Sequence, residues 1–115
     1  MRKIRDTTIV IHWFSGRWDN PIIEPPSIPS QSGLQVRDLY VHEFGGGNYQ
    51  IWRCEQMNPL IWKSLPQGTQ EILPGQNTSR AFVVTESGQP SWVLPHTIGR
   101  LYKWVQLDTN KGKQQ

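Results

Sequence analysis

Cysteine is almost missing from this chain: Cys54 is the only one among 115 residues. One thiol cannot close an internal disulfide, so any fold must rest on packing and hydrogen bonds, not on covalent staples. That count suits a reducing compartment. Long hydrophobic runs are missing too, since nothing approaches the roughly 20 residues of a membrane-spanning helix, and the first residues lack the apolar stretch of a secretory leader. The expectation is a soluble, intracellular protein of the cytoplasm with no membrane partner, in which the sequon Asn77-Thr78-Ser79 is fortuitous.

Strong charge of either sign is equally absent. Twelve Lys and Arg stand against nine Asp and Glu, a formal net charge of +3, well short of a dedicated nucleic-acid binder. Part of that excess lies at the ends, in Arg2, Lys3, Arg5, Lys111 and Lys113, which read as solvated tips.

Signatures of metal and nucleophile chemistry do not occur either. His12, His42 and His96 have no ligand spacing with one another or with Cys54, and there is no Cys-x-x-Cys and no His-Glu-x-x-His. His42 and Glu43 are strand neighbours and point to opposite faces. Gly45-Gly46-Gly47 lacks the lysine and the following helix of a phosphate-binding loop. Cys54 reads as a small core thiol, with Arg53 and Glu55 turned to the other face. Neither a cofactor nor a metal is expected.

Helix-compatible windows are scarce, because nine prolines and ten glycines are spread along the chain. What remains is short, β-branched and aromatic. Six tryptophans (Trp13, Trp18, Trp52, Trp62, Trp92 and Trp104) recur throughout, and most should be core, since indole buries a large apolar area while its N–H seeks a partner.

The segment from Thr7 to Phe14 is apolar on both faces and predicts a central strand. Residues 15–33, with Pro21, Pro25, Pro26 and Pro29, predict a long loop or polyproline arm. Leu34–Phe44 and Asn48–Glu55 predict a hairpin about the three glycines, with Phe44 opposite Asn48 and Tyr40 opposite Trp52. One face would carry Leu39, Val41, Tyr49 and Ile51, the other Tyr40, His42, Phe44 and Trp52. A β-bulge near Arg37-Asp38 would reconcile these faces with the alternation before it.

Asn58, Pro59 and Pro66 frame a short helix near 59–65. The polar stretch 67–79 reads as a second loop. Ala81–Glu86 and Ser91–Leu94 predict another hairpin, Ile98–Leu107 a closing edge strand marked by Lys103, and 108–115 a disordered tail. The sum is a single all-β domain over 1–115, mainly antiparallel, a small sandwich or barrel of about six strands with one short helix.

For function, the expectation is a non-catalytic binding module, an accessory or inhibitor protein of microbial or viral style, that grips a protein partner through exposed aromatics. Trp18 beside Arg17 in a loop would be one anchor. Exposed members of the Tyr40, His42, Phe44 and Trp52 face would supply the rest. Two alternatives use other chemistry. A small barrel could stack single-stranded nucleic acid on its aromatics while Arg37, Arg53, Lys63 and Arg100 meet phosphates, and the same aromatics could stack on carbohydrate. A ribonuclease-like hydrolase would use Glu86, His96 and Arg100 as its acid-base set.

Overall fold

The computed structural model describes residues 1–29, 32–103 and 105. Its strands are β1 (Arg2–Lys3), β2 (Val10–Ile11), β3 (Trp13–Trp18), β4 (Leu39–Phe44), β5 (Asn48–Gln56), β6 (Ile61–Ser64), β7 (Gln70–Ile72), β8 (Ser79–Val84) and β9 (Pro90–Val93), followed by helix α1 (His96–Leu101). They form a two-stranded ribbon β1-β2, a four-stranded sheet β3-β4-β5-β6 and a three-stranded sheet β7-β8-β9. The chain is all-β, as its composition predicts. Four of the pairings are antiparallel, and β3 with β4 is parallel. Among the described residues each sheet has two edges, and no barrel closes. No helix there is long and apolar enough to cross a membrane.

Backbone contacts gather into two compact units. One comprises Met1–Arg2 and Val10–Leu65, the other Lys3–Ile9 and the described residues from Pro66 onward.

In the first unit the glycine turn sets the register. Gly45, Gly46 and Gly47 all take positive φ, at 56°, 73° and 122°, a run that side chains with a Cβ resist. Around it β4 and β5 pair with Phe44 opposite Asn48, His42 opposite Gln50, Tyr40 opposite Trp52 and Leu39 opposite Arg53, the predicted register. Both faces of this hairpin are buried at its centre, with Leu39, Val41 and Ile51 on one side and Tyr40, Trp52 and Cys54 on the other.

Before β4 the expected bulge forms: Arg37 N–H donates to the Cys54 carbonyl at 2.7 Å and Cys54 N–H donates to the Asp38 carbonyl at 2.8 Å, two residues opposite one, and a tight turn leads into it. Asp38 N–H donates to the Gln35 carbonyl at 3.0 Å, and Arg37 carries a φ of 81°. The Asp38 carboxylate ties that turn by accepting from Gln35 N–H at 2.9 Å.

Several sequence expectations fail in instructive ways. Thr7–Phe14 is not one central strand: the segment divides into β2 and β3, and β3 runs on to Trp18 as an edge strand. No helix forms at 59–65, because Ile61–Ser64 pairs with β5, Trp62 opposite Cys54 and Ser64 opposite Trp52; sheet pairing outcompetes two turns of helix that are marginal alone. Within 67–79, Gln70–Ile72 is a strand paired to β8.

In the second unit β8 and β9 form the predicted hairpin, Val84 opposite Pro90 and Phe82 opposite Trp92. Proline fits because β9 is an edge. The rings of Phe82 and Trp92 meet edge to face at 5.3 Å. On the opposite side of the sheet, Ala81 and Val83 pack with Ile98 and Val105, flanked by Val93 and Tyr102. The chain after β9 is therefore helical over 96–101, not the closing strand expected over 98–107. Pro95 carries a helical φ of −55° just ahead of it, a geometry proline favours at helix starts. The remainder of that expected strand, Trp104 included, and the expected tail at 108–115 fall outside the described residues apart from Val105.

One close approach inside the first unit is testable. A Cβ on Gly16 would overlap the Tyr40 hydroxyl, while the ring carbon Cζ would sit 3.3 Å away. Gly16→Ala should destabilise the protein by about 1–3 kcal/mol, the usual cost of forcing atoms into a full core. Tyr40→Phe removes the offending oxygen, so urea unfolding of the double variant should recover most of that loss. Simple additivity of the two changes would show that the clash is relieved elsewhere.

Candidate functional site

The parallel pairing of β3 with β4 requires a crossover, because parallel neighbours cannot be joined by a tight turn. The proline-rich segment supplies it, over residues 19–38. It does not hang free. The Gln50 side chain clamps Ile22 from both sides of its peptide, accepting from Ile22 N–H at 2.8 Å and donating Nε2–H to the Ile22 carbonyl at 2.9 Å. The carbonyl of Asn20 can only accept, so the 2.9 Å contact to His42 places the proton on Nε2. Pro25 is buried as well. The arm thus bonds to the hairpin face that carries Tyr40, His42, Phe44 and Trp52.

That arrangement corrects part of the expected recognition surface. Tyr40, His42 and Trp52 are only 7%, 3% and 9% exposed. They are core, because a hairpin with two apolar faces needs cover on both. His42 stacks on Phe44 with ring centroids 5.9 Å apart and planes 13° from parallel. It supports Phe44 from below and does not present itself.

The exposed residues gather at the end of the sheet. Trp18 and Phe44 are register partners across β3 and β4, as are Arg17 and Glu43. Alternation puts each pair on its own side of the strands. Beyond the strand ends, Arg17, Trp18, Asp19, Glu43, Phe44, Gly45 and Gly46 line one open depression of about 420 Å³. Trp18 is 59% exposed, and Trp13, Trp52, Trp62 and Trp92 are all more buried. Arg17 reaches across to Glu43, with Nη2 at 2.9 Å and Nε at 3.2 Å from the same carboxylate oxygen, Oε1. Arg17 and Trp18 lie in a strand, not in the predicted loop, so the indole projects from paired backbone.

Of the sequence-predicted contact residues, the depression brings together Arg17, Trp18 and Phe44. It adds Glu43 as a partner for Arg17, which sequence alone misses because that pairing depends on the parallel register. Gln50 and the carbonyl of Asn20 are likewise invisible without the fold of the arm.

The hydrolytic set does not converge. Glu86 sits in the turn between β8 and β9, while His96 opens α1 beyond the opposite end of β9, with Arg100 one turn later. All three are exposed, and among the described residues no hydrogen bond or ion pair joins them. Nor do three His, Cys, Asp or Glu side chains gather there as a metal site would need. Cys54 is fully buried, beside the Gln56 carbonyl at 3.6 Å and the Met57 sulfur at 3.5 Å. Burial pushes its thiol above the ordinary value, which disfavours the thiolate a nucleophile needs.

Compared with known protein families, with curated proteins and with solved structures, the chain matches none.

The clamp on the arm makes a direct prediction. Gln50→Ala removes two hydrogen bonds and strands a backbone N–H, a cost of about 1–3 kcal/mol. Hydrogen–deuterium exchange should then speed up at Ile22 and its neighbours more than in the β4–β5 ladder. Unchanged exchange at Ile22 would mean that the arm is held by something other than Gln50.

Proposed function

We propose that this chain is a non-catalytic binding module whose working surface is the sheet tip, with Trp18 as anchor and another protein as partner. The exposure of Trp18 on a hydrogen-bonded strand carries the reading. A large indole left 59% in water forgoes the burial that the other described tryptophans obtain, and tryptophan with arginine is the pair most enriched among residues that dominate protein interfaces. Arg17 is held by Glu43, and Phe44 is backed by His42, so little ordering remains to oppose association. A cytoplasmic setting belongs to this proposal, since it keeps the single thiol reduced.

The nucleic-acid alternative draws less support. The aromatic face it would use lies under the arm, and the exposed tip carries two carboxylates, Asp19 and Glu43, where phosphates would have to approach. The hydrolytic alternative needs Glu86, His96 and Arg100 in one cleft, and the turn and helix that carry them lie at opposite ends of β9.

Affinity capture from the cells that produce the protein tests the reading. The wild type should retain a defined partner that Trp18→Ala loses, with the far-ultraviolet circular dichroism unchanged. Ile72→Ser, at an exposed site in the other compact unit, should keep it. Once the partner is purified, Trp18→Ala should cost about 2 kcal/mol, roughly 30-fold in Kd. Equal retention by wild type and Trp18→Ala would remove the proposed surface.

A further inference from the structure

We infer that the proline-rich arm carries a second binding surface, in which Pro26 and Pro29 form one ridge of a polyproline II segment that docks into an aromatic-lined groove on another protein. The surface uses residues other than those of the sheet tip, so it goes beyond the reading above.

Sequence sets the backbone of this stretch. Pro25, Pro26 and Pro29 have φ fixed at roughly −65° by their rings. Glu24, Pro25 and Ile28 each precede a proline and are pushed out of the helical region. Within 25–29 only Ser27 escapes both restraints. The fold leaves that preference in place. After a bend at Ile23 and Glu24 the chain runs through 25–28 with no turn or ladder, and among the described residues no hydrogen bond ties that backbone to the rest of the chain. Polyproline II makes no internal hydrogen bonds either, so its carbonyls stay available.

Burial repeats with a matching period. Ile22, Pro25 and Ile28, three residues apart, are buried or half-buried, whereas Ile23, Glu24, Pro26, Ser27 and Pro29 are exposed. Three residues per turn is the polyproline II repeat. Pro25 and Ile28 therefore share the inward side, and Pro26 and Pro29 share an outward one. The arm is already seated, since Gln50 and His42 hold Ile22 and Asn20, so a partner has little backbone to order.

The chemistry of the ridge selects the partner. Pro25, Pro26 and Pro29 have no N–H, so the segment cannot add as a strand to a sheet edge, which needs donors along the backbone. Nor can it wind into a helix to fill a groove. What it presents is two pyrrolidine rings one turn apart, with carbonyls between them that no donor in the described chain uses. Grooves that take such ligands are lined by aromatic side chains, whose rings pack on the prolines. The indole N–H or phenol O–H of the same side chains can donate to the carbonyls.

The probe is a set of purified SH3, WW and EVH1 domains, each titrated into the 15N-labelled full chain. Proline gives no amide signal, so Ser27 and Ile28 report the ridge. At least one domain should shift both amides saturably while the amides of β8 and β9 stay in place. Pro26→Ala and Pro29→Ala should each weaken that binding about tenfold, the loss of one apolar contact at a docking face. Both positions are exposed, and the Ile22 amide of the free variants should stay where it is in the wild type. If it moves, the wild-type map of Ser27 and Ile28 still decides.

Failure of every domain to shift Ser27 and Ile28 would overturn the inference, as would a domain that binds both alanine variants as tightly as the wild type. Trp18→Ala should leave the domain affinity unchanged. A loss equal to that of Pro26→Ala would show that the arm and the sheet tip are one surface, and the claim of a second would fall.

Discussion

The parallel pairing of β3 with β4 is the constraint on which the first unit turns. It sets Trp18 beside Phe44 and Arg17 beside Glu43, and it obliges residues 19–38 to travel back along the sheet before β4 can begin. A connection of that length would ordinarily be an entropic burden. Here proline limits the freedom of the unfolded segment, and Gln50 and His42 capture the start of the crossover by main-chain hydrogen bonds. The crossover then serves as cover for a hairpin face too apolar to meet water. One topological requirement thus closes a core and fixes the tip.

The clamp is economical because a glutamine side chain imitates a strand neighbour. Its amide presents one donor and one acceptor with nearly the spacing of a peptide group, so Ile22 finds in Gln50 the pairing it would otherwise seek in a ladder. Gly16 shows how tight the neighbouring packing is. Tyr40 lies over the backbone at that point so closely that no Cβ fits. The edge strand, the hairpin and the arm therefore hold one another, and substitutions in any of them are expected to couple.

How far the sequence could be read depended on whether the deciding signal was local. The β4–β5 register was legible to the residue, because three glycines permit only a tight turn and alternation does the rest. The β8–β9 hairpin was legible for the same reason. The helix at 96–101 was not, since Leu101, Val105 and Leu107 read as alternation, while Ile98, Tyr102 and Val105 recur at helical spacing and are the residues that pack on Ala81 and Val83. The segment 59–65 erred in the opposite sense: good capping residues suggested a helix, and a long-range partner, β5, claimed it for the sheet. At the site, Trp18 and Arg17 stood out because an aromatic among charges is a local pattern. The burial of Tyr40, His42 and Trp52 could not be seen, because it depends on where the proline-rich segment returns.

Whether Trp18 sits in a loop or in a strand changes what it can contribute to binding. On a loop, association would have to order the backbone as well as the ring, at roughly 1–2 kcal/mol for each residue fixed. On β3 the backbone is already paired to β4, and an indole has only two side-chain torsions left to restrict. The neighbouring Arg17–Glu43 pair adds little stability of its own, since Arg17 is largely in water. Its effect is positional, holding a long side chain across the strand end, on the opposite side from the ring.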